Sequence, residues 1–410
     1  MPRPQRQRSR QIGYNRHFLT ATGIIAAVIL AQNMLSFALP LLALEISGTG
    51  SGLALIKGAG FIPNILFAIF VGVINDRMRK ATGFRIYSLL LAGSCAALWA
   101  LMLADLVSIA NLALFVIFLN AVGYAISNLQ FTLLRLTVPQ ERLSDATALG
   151  SAINSVITTV GPALGGLALF TLGGTGLVGC VTLLLVISAI AAFTVQPDET
   201  LAPQAPFWPS LREGFSVFAN NRELVMMTIA VVLTNAAAGA FMVGLLLKLK
   251  IDLSANDFQT GLVVAAAGVG SVIAATYAPR IRRALGYRAA FFWPIWLLGL
   301  LSLATAAAPT LLILFVVSFC EGAVSIFYDI GIWSYRQEST EAAHMGRVAG
   351  ITGAIFKLGM PPVIFLAGWL ADANALTSVF VLATSLFVTA ALFLSFIAGW
   401  GWPRRTAQAT

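Results

Sequence analysis

Long apolar segments recur along the whole chain, and each is long enough to cross a lipid bilayer. A spanning helix needs about 20 apolar residues, because the hydrocarbon core is about 30 Å thick and a helix rises about 1.5 Å per residue. Only 10% of the 410 residues are charged, so we expect an all-α integral membrane protein without an extramembrane domain. The sequence predicts twelve transmembrane helices, at about 18–44, 52–74, 84–104, 108–134, 146–170, 175–196, 223–247, 259–279, 288–307, 310–335, 346–371 and 375–400.

The basic residues indicate how the chain is oriented. Lys and Arg near the ends of spans favour the cytosolic side of a membrane. With the N-terminus in the cytosol, all of the 25 Lys and Arg residues fall on that side except Lys57, Lys248, Lys250 and Lys357. An even number of spans then puts both termini in the cytosol. Topology therefore explains the net charge of +9, and we do not expect nucleic acid as a partner.

The sequence holds no motif for a cofactor, a metal ion or an enzyme's active site. Cys95, Cys180 and Cys320 fall inside predicted spans, which excludes a disulfide framework and a CxxC metal site. No HExxH, GxSxG or ATP-binding P-loop is present. We expect a protein that is not an enzyme and that needs neither a cofactor nor a metal.

A polar stretch divides the chain into two sets of six spans. We expect an N-terminal half with a basic cytosolic tail at 1–196, a cytosolic linker at 197–222 and a C-terminal half at 223–410. Three apolar linker residues at helical spacing predict a short amphipathic helix on the membrane surface: Leu211, Phe215 and Phe218.

The two halves contain a weak internal repeat. FLNAVGYAISNLQFTLLR, residues 118–135, aligns without a gap with FCEGAVSIFYDIGIWSYR, residues 319–336. The alignment places three polar positions of one half opposite three of the other, Asn120 with Glu321, Asn128 with Asp329, and Arg135 with Arg336. Repeated six-span halves are typical of transporters that work by alternating access, with a site between the halves near mid-membrane.

The segment GVINDRMRK, residues 72–80, resembles the loop motif between spans two and three of the major facilitator superfamily. Gly72, Asp76, Arg77 and Lys80 match the motif, whereas Ile74 replaces Leu and Arg79 replaces Gly. The resemblance implies a cytosolic gate in which Asp76 and Arg77 hold the halves together. Arg135 and Arg336 are the expected partners of this gate. The alternative is a charge cluster that only sets topology.

The hexapeptide GPALGG in span five is similar to the core of a motif associated with antiporters in the same family. Its matching residues are Gly161, Pro162, Gly165 and Gly166, and Ile157 replaces the upstream Gly of the longer motif. Small residues let helices approach closely and Pro interrupts the helical hydrogen bonds, so this segment suits a tightly packed, bendable span. Ordinary small-residue packing is the alternative. The arginine usual in span four of drug/proton antiporters is absent, and Leu119 stands near its position.

The whole chain resembles the superfamily in pattern, and several segments resemble its branch that contains enterobactin-type siderophore exporters and macrolide efflux pumps. The similarity rests on RLTVPQERLSDATALGSA at 135–152, GPALGG at 161–166, Pro63 and the linker LREGFSVFANNREL at 211–224. It implies an exporter of amphipathic small molecules in a bacterial cytoplasmic (inner) membrane. We expect a monomer surrounded by membrane lipid, with protons as the coupling ion.

Ionisable groups inside the second half are the candidates for coupling or for binding substrate charge. A carboxylate at mid-membrane costs about 2.5–3.5 kcal/mol on insertion scales, so it needs a partner or a proton. Glu321 and Lys357 lie at similar depth in adjacent spans, and we expect a pair that a proton or an anionic substrate breaks. The alternative is a static pair that orders the bundle. Asp329, two turns beyond Glu321, is expected to relay protons or to pair with Arg336.

Family geometry implies that spans one, four, seven and ten border the substrate cavity. We therefore expect amides and aromatic residues of these spans to line it, with hydrogen bonding between helices as the alternative. They are Gln32, Asn33, Asn120, Asn128, Asn235, Phe327 and Tyr328.

The leading hypothesis is a proton-coupled exporter of a siderophore or a drug-like compound. An importer or facilitator of the same fold, for a siderophore or a metabolite, is the alternative within this class. A non-transporting receptor or scaffold is the alternative of another class. The polar residues inside the spans argue against it, because a scaffold has no use for groups that are costly to bury in a membrane.

Overall fold

The apolar segments of the sequence form helices. The computed structural model describes residues 16–67, 71, 74, 75, 77–138, 140–195, 207–341 and 344–396, and this part of the chain contains no strand. Its main helices are α1 (Arg16–Ser47), α2 (Gly50–Ala59), α3 (Ile62–Leu66), α4 (Lys80–Leu103), α5 (Ile109–Thr137), α6 (Leu143–Ala192), α7 (Phe207–Asn220), α8 (Arg222–Leu247), α9 (Asp257–Ala275), α10 (Ala278–Ala307), α11 (Leu311–Ser339), α12 (Met345–Ile355), α13 (Met360–Asp372) and α14 (Leu376–Phe396).

The helices agree with twelve membrane spans. Within the described residues, ten helical runs are long and apolar enough to cross a membrane. One of them, α6, has 50 residues, more than twice the length that a span needs. Its backbone leaves the helical conformation at Gly173, where φ is 67°, a left-handed value that glycine adopts without strain. Helix α6 therefore comprises two spans, and α2 with α3 supplies the predicted second span.

The second and eleventh spans are interrupted, although the sequence predicted continuous helices at both places. The interruptions lie at 60–61, between α2 and α3, and at 356–359, between α12 and α13. Each is followed by proline at the start of the next helix: Pro63 in α3, and Pro361 and Pro362 in α13. Proline lacks an N–H and is tolerated in the first turn of a helix but not inside it. The prolines therefore explain why these spans restart.

The helices pack into two bundles. In the first bundle, α1 packs against α2, α5 and α6, and α4 packs against α5 and α6. In the second, α8 packs against α13 and α14, while α11 packs against α9 and α10. The bundles meet mainly along two pairs of helices, α6 with α9 and α2 with α13, and smaller contacts join α2 to α8 and α3 to α12.

Two of the close contacts between the bundles lie in the same half of the membrane. We call the face at which α1 begins the basic face, since the sequence predicts most Lys and Arg there, and the other the opposite face. Gly166 of α6 lies against the backbone of Asp257 at the start of α9, and Gly58 of α2 lies against the Phe365 ring of α13. These helix segments are nearer the opposite face. The bundles are therefore packed together towards that face.

Candidate functional site

A cavity of about 460 Å³ lies between α1, α5 and α6. Its wall belongs to the first half of α1, the end of α5 and the start of α6, which places it next to the basic face. None of the described residues that line it is charged. Apolar side chains share the wall with nine amides and hydroxyls: Thr22, Gln32, Asn33, Ser127, Thr147, Ser151, Asn154, Ser155 and Thr158. A mixed wall of this kind and a volume of this order suit a small amphipathic molecule.

Glycines make room for the two amides on α1. A Cβ at Gly123 of α5 would collide with the Nε2 of Gln32, and a Cβ at Gly161 of α6 would lie 2.6 Å from the Cβ of Asn33. The Nδ2 of Asn33 donates a hydrogen bond to the Ile29 carbonyl at 2.8 Å. The first glycine of GPALGG thus allows an amide of α1 to pack directly against α6 at the cavity wall.

The other glycines of GPALGG bring α6 close to two helices at once. A Cβ at Gly165 would lie 3.0 Å from the Met34 carbonyl oxygen of α1. A Cβ at Gly166 would collide with the Asp257 carbonyl oxygen of α9, in the other bundle. Pro162 lies inside α6 between these contacts. The segment therefore packs α6 on α1 and on the second bundle, while its role in antiport stays a prediction.

The structure brings only some of the expected cavity residues together. Gln32 and Asn33 line the large cavity, whereas Asn120 lines a smaller one between α1, α2, α3 and α5. Asn128 is exposed, and Phe327 is half-buried. Neither belongs to the wall of the large cavity in this conformation.

Two more of these candidates make hydrogen bonds within the second bundle. Asn235 of α8 donates from Nδ2 to the Phe356 carbonyl at 2.9 Å, which occupies a carbonyl group inside the interruption of span eleven. The Tyr328 hydroxyl is hydrogen-bonded to that of Thr234, and the Tyr328 ring stacks on Phe291 with centroids 5.1 Å apart. Both residues hold helices together here, which is the alternative that the sequence left open.

Helix α6 contributes hydroxyl residues to the large cavity that were not expected there, next to the amide of Asn154. Ser151, Asn154, Ser155 and Thr158 recur at spacings of three and four residues, which puts them on one side of the helix. Such a stripe in an otherwise apolar span was the signal available in the sequence.

The expected pair of Glu321 and Lys357 is not formed in this structure. Neither side chain takes part in an ion pair among the described residues. Glu321 instead accepts a hydrogen bond from the Ser325 hydroxyl, one turn along α11, at 3.0 Å. Lys357 lies in the interruption at 356–359, so helical spacing does not determine the direction of its side chain. This is why the depth of Lys357 within its span, as read from the sequence, did not predict its partner.

Asp329 and Arg336 do not pair either. Asp329 is exposed, whereas Arg336 is buried, with 4% of its surface exposed. The Arg336 guanidinium lies 4.1 Å from the ring centroid of Trp333 and donates a hydrogen bond to the Thr352 hydroxyl at 3.3 Å. Arg336 therefore joins α11 to α12 through the hydrogen bond to Thr352, while its cation–π contact with Trp333 lies within α11.

The residues expected to form the cytosolic gate are not seen together. Arg77 is exposed. Asp76 lies outside the described residues, and so do the side chain of Arg135 and Gly72 of the same loop motif. The gate stays a prediction.

The linker helix α7 is attached to α12 by a polar cluster. Glu213 accepts a hydrogen bond from Arg347 Nη1 at 2.6 Å through Oε2, and its Oε1 lies 2.9 Å from His344 Nε2. The hydrogen bond from His344 and the charge of Arg347 hold the pKa of Glu213 below its usual value. The linker is thus fixed to the helix that precedes the interruption of span eleven.

Two packed helical bundles of similar size with a polar cavity are an arrangement found in membrane transporters. The family model of the Major Facilitator Superfamily matches residues 21–362. The chain belongs to this family, as its loop and glycine motifs predicted.

The chain is also similar to proteins named as efflux pumps. It is 26% identical over 368 residues to the multidrug efflux pump Tap of Mycolicibacterium fortuitum, covering 85% of this chain and 87% of that protein. It is 21% identical over 383 residues to macrolide efflux protein A of Streptococcus pyogenes, covering 90% and 92%. The solved structure of the nucleoside transporter NupG matches with a TM-score of 0.73 at 13% identity, over 93% of this chain and 99% of that chain, which supports the fold.

Proposed function

We propose that the protein is a proton-coupled exporter of an amphipathic, drug-like molecule. The main support for this proposal is the large cavity. Its uncharged wall of amides, hydroxyls and apolar side chains suits a molecule with an apolar body and scattered polar groups. The similarity to a multidrug pump and a macrolide efflux protein supports the same substrate class.

The position of the cavity supports export. It lies next to the basic face, which the sequence predicts to be cytosolic, and the bundles are packed together towards the opposite face. A carrier in this arrangement takes up its substrate from the cytosol. Release then requires the bundles to separate at the opposite face and to close at the basic face, which is alternating access.

Glu321 supports coupling to protons. It lies inside a membrane span, and among the described residues its carboxylate has a serine hydroxyl and no cation as partner. An acid in that setting is costly to keep ionised, so it gains a proton when shielded and loses it when water reaches it. Asp329 lies two turns closer to the basic face and is exposed, which makes it the next carboxylate on a proton path.

Uptake by inverted membrane vesicles tests the proposal. We expect wild-type vesicles to accumulate a labelled macrolide or another drug when the lumen is acidic, and a protonophore to abolish the uptake. Siderophores belong in the same panel, because the sequence resemblance also implies them. Absence of energy-dependent uptake for every compound in the panel would remove the support for export.

Glu321→Gln tests the coupling group separately. We expect this variant to lose most proton-driven uptake at normal membrane expression. The matched control is Glu338→Gln on the same helix, since Glu338 is exposed and pairs with Arg282 at 3.2 Å, away from the cavity. Full retention of proton-driven uptake by Glu321→Gln would exclude Glu321 as the coupling acid.

A further inference from the structure

We propose that a second, smaller cavity in the first bundle binds an apolar monocarboxylate, with Lys57 as the counter-charge. This cavity has a volume of about 220 Å³ and lies between α1, α2, α3 and α5. It shares no lining residue with the large cavity. It is therefore a separate site, and ligand binding to it can be measured in an assay that does not involve transport.

Lys57 is the only charged residue among the described residues of this wall. It lies in the last turn of α2, three residues before the interruption of the second span. No carboxylate lies within 4 Å of its ammonium group in the described part of the chain. A cation without a counter-charge is costly inside a membrane protein, and a bound carboxylate would supply that charge.

Neutral polar groups stand beside the lysine. The side chains of Ser36 and Asn64 line the cavity, and neither makes a hydrogen bond to another described residue. Asn120 uses its Nδ2 to donate to the Val116 carbonyl at 2.9 Å. Ser36 and Asn64 therefore leave donors available for a carboxylate, whose two oxygens accept several hydrogen bonds.

The rest of the wall favours an organic anion over an inorganic one. It is apolar: Leu35, Leu39, Pro40, Ile56, Phe61, Val116 and Leu119. Apolar groups cannot replace the hydration shell of chloride or phosphate, but they pack well against a ring or a short alkyl chain. The volume corresponds to about seven water molecules at about 30 Å³ each, which is enough for a carboxylate on a small apolar body.

Thermal unfolding of the purified, detergent-solubilised protein tests this site at constant pH and ionic strength. We expect benzoate to raise Tm in a saturable manner, because a ligand that binds only the folded state stabilises it. The uncharged analogue benzamide and chloride should not do so. Lys57→Met should weaken the response to benzoate at least tenfold. Lys250→Met should keep it, because Lys250 pairs with Asp257 at 2.8 Å and lies outside this cavity.

Three results would overturn the proposal: an equal response to benzamide, an equal response to chloride, or an undiminished response of Lys57→Met. If Lys57→Met does not fold, Leu119→Trp decides the question, since it fills the cavity while retaining the lysine. Loss of the benzoate response in that variant supports the site, and an unchanged response refutes it. The measurement involves no transport, so its failure leaves the exporter proposal intact.

Discussion

Asp372 forms a polar link between the bundles at the opposite face. This last residue of α13 accepts a hydrogen bond from the Gly50 amide at 2.5 Å through Oδ1 and one from the Ser51 amide at 3.0 Å through Oδ2. Both donors lie at the N-terminus of α2, in the other bundle. The N-terminus of a helix carries a partial positive charge and favours an anion. Separation of the bundles at this face would break both bonds, so the carboxylate should stabilise the state described here.

Asp372→Asn removes the charge and nearly preserves the shape. A hydrogen bond to a charged group contributes about 1.5–3 kcal/mol and one between neutral groups about 0.5–1.5 kcal/mol. Asparagine also offers one acceptor oxygen to two donors. Because Asp372 is exposed and solvent screens its charge, we expect a loss of about 1–1.5 kcal/mol, which is about a 5- to 13-fold shift of the equilibrium towards separation at this face.

Spin-label distance measurements can detect this shift. Leu106 and Leu312 are exposed positions at the opposite face, one on each bundle, and suit a label pair once Cys95, Cys180 and Cys320 are replaced. We expect the longer-distance population to grow in Asp372→Asn.

The matched control is Asp252→Asn, because Asp252 lies at the same face and contacts Lys248 within its own bundle at 3.6 Å. An unchanged distance distribution in Asp372→Asn would refute the reasoning. An equal change in both variants would do so too.

Two further variants test the packing of α6 and the attachment of the linker. Gly166→Ala should lower Tm and reduce the unfolding free energy by about 1–3 kcal/mol, because its Cβ would collide with the Asp257 backbone. Gly93→Ala is the control, since its Cβ would enter open space and should have little effect on Tm. The pKa of Glu213 is lowered from its ordinary value of 4.5, so its ionised carboxylate should stabilise the docking of α7 on α12 at any pH above 4.5. This stabilisation should be lost as the pH falls through the lowered pKa. Hydrogen exchange of α7, corrected for intrinsic rates, should show this acid-induced loosening in the wild type and not in Glu213→Gln.

The fold could be predicted from the sequence because the membrane leaves few choices. Backbone groups in lipid must be hydrogen-bonded internally, so a long apolar segment has to be a helix. The two interrupted spans were the exception. Hydropathy does not detect a few missing backbone hydrogen bonds. The signal in the sequence was proline, at Pro63 and at Pro361 and Pro362, where the helices restart.

The site could be predicted only in part, because the depth of a residue within a span does not determine which neighbouring helix its side chain faces. Gln32 and Asn33 were expected at the cavity and are found there. Asn235 and Tyr328 lie in expected spans but form hydrogen bonds to other spans of the second bundle. The hydroxyls of α6 were missed, since Ser and Thr inside helices commonly bond to their own backbone, as Thr158 does to the Asn154 carbonyl at 2.9 Å.

The two interrupted spans suggest how the faces of the carrier can move separately. A helix bends most easily where its backbone hydrogen bonds are missing. The contact of α2 with α13 lies on the opposite-face side of both interruptions, while α3 and α12 lie on the basic-face side. The contact between α3 and α12 can therefore change while α2 and α13 stay packed. Helix α12 would carry the linker helix with it through Glu213. Closure at the basic face could then precede the release of Asp372, which is the order that export by alternating access requires.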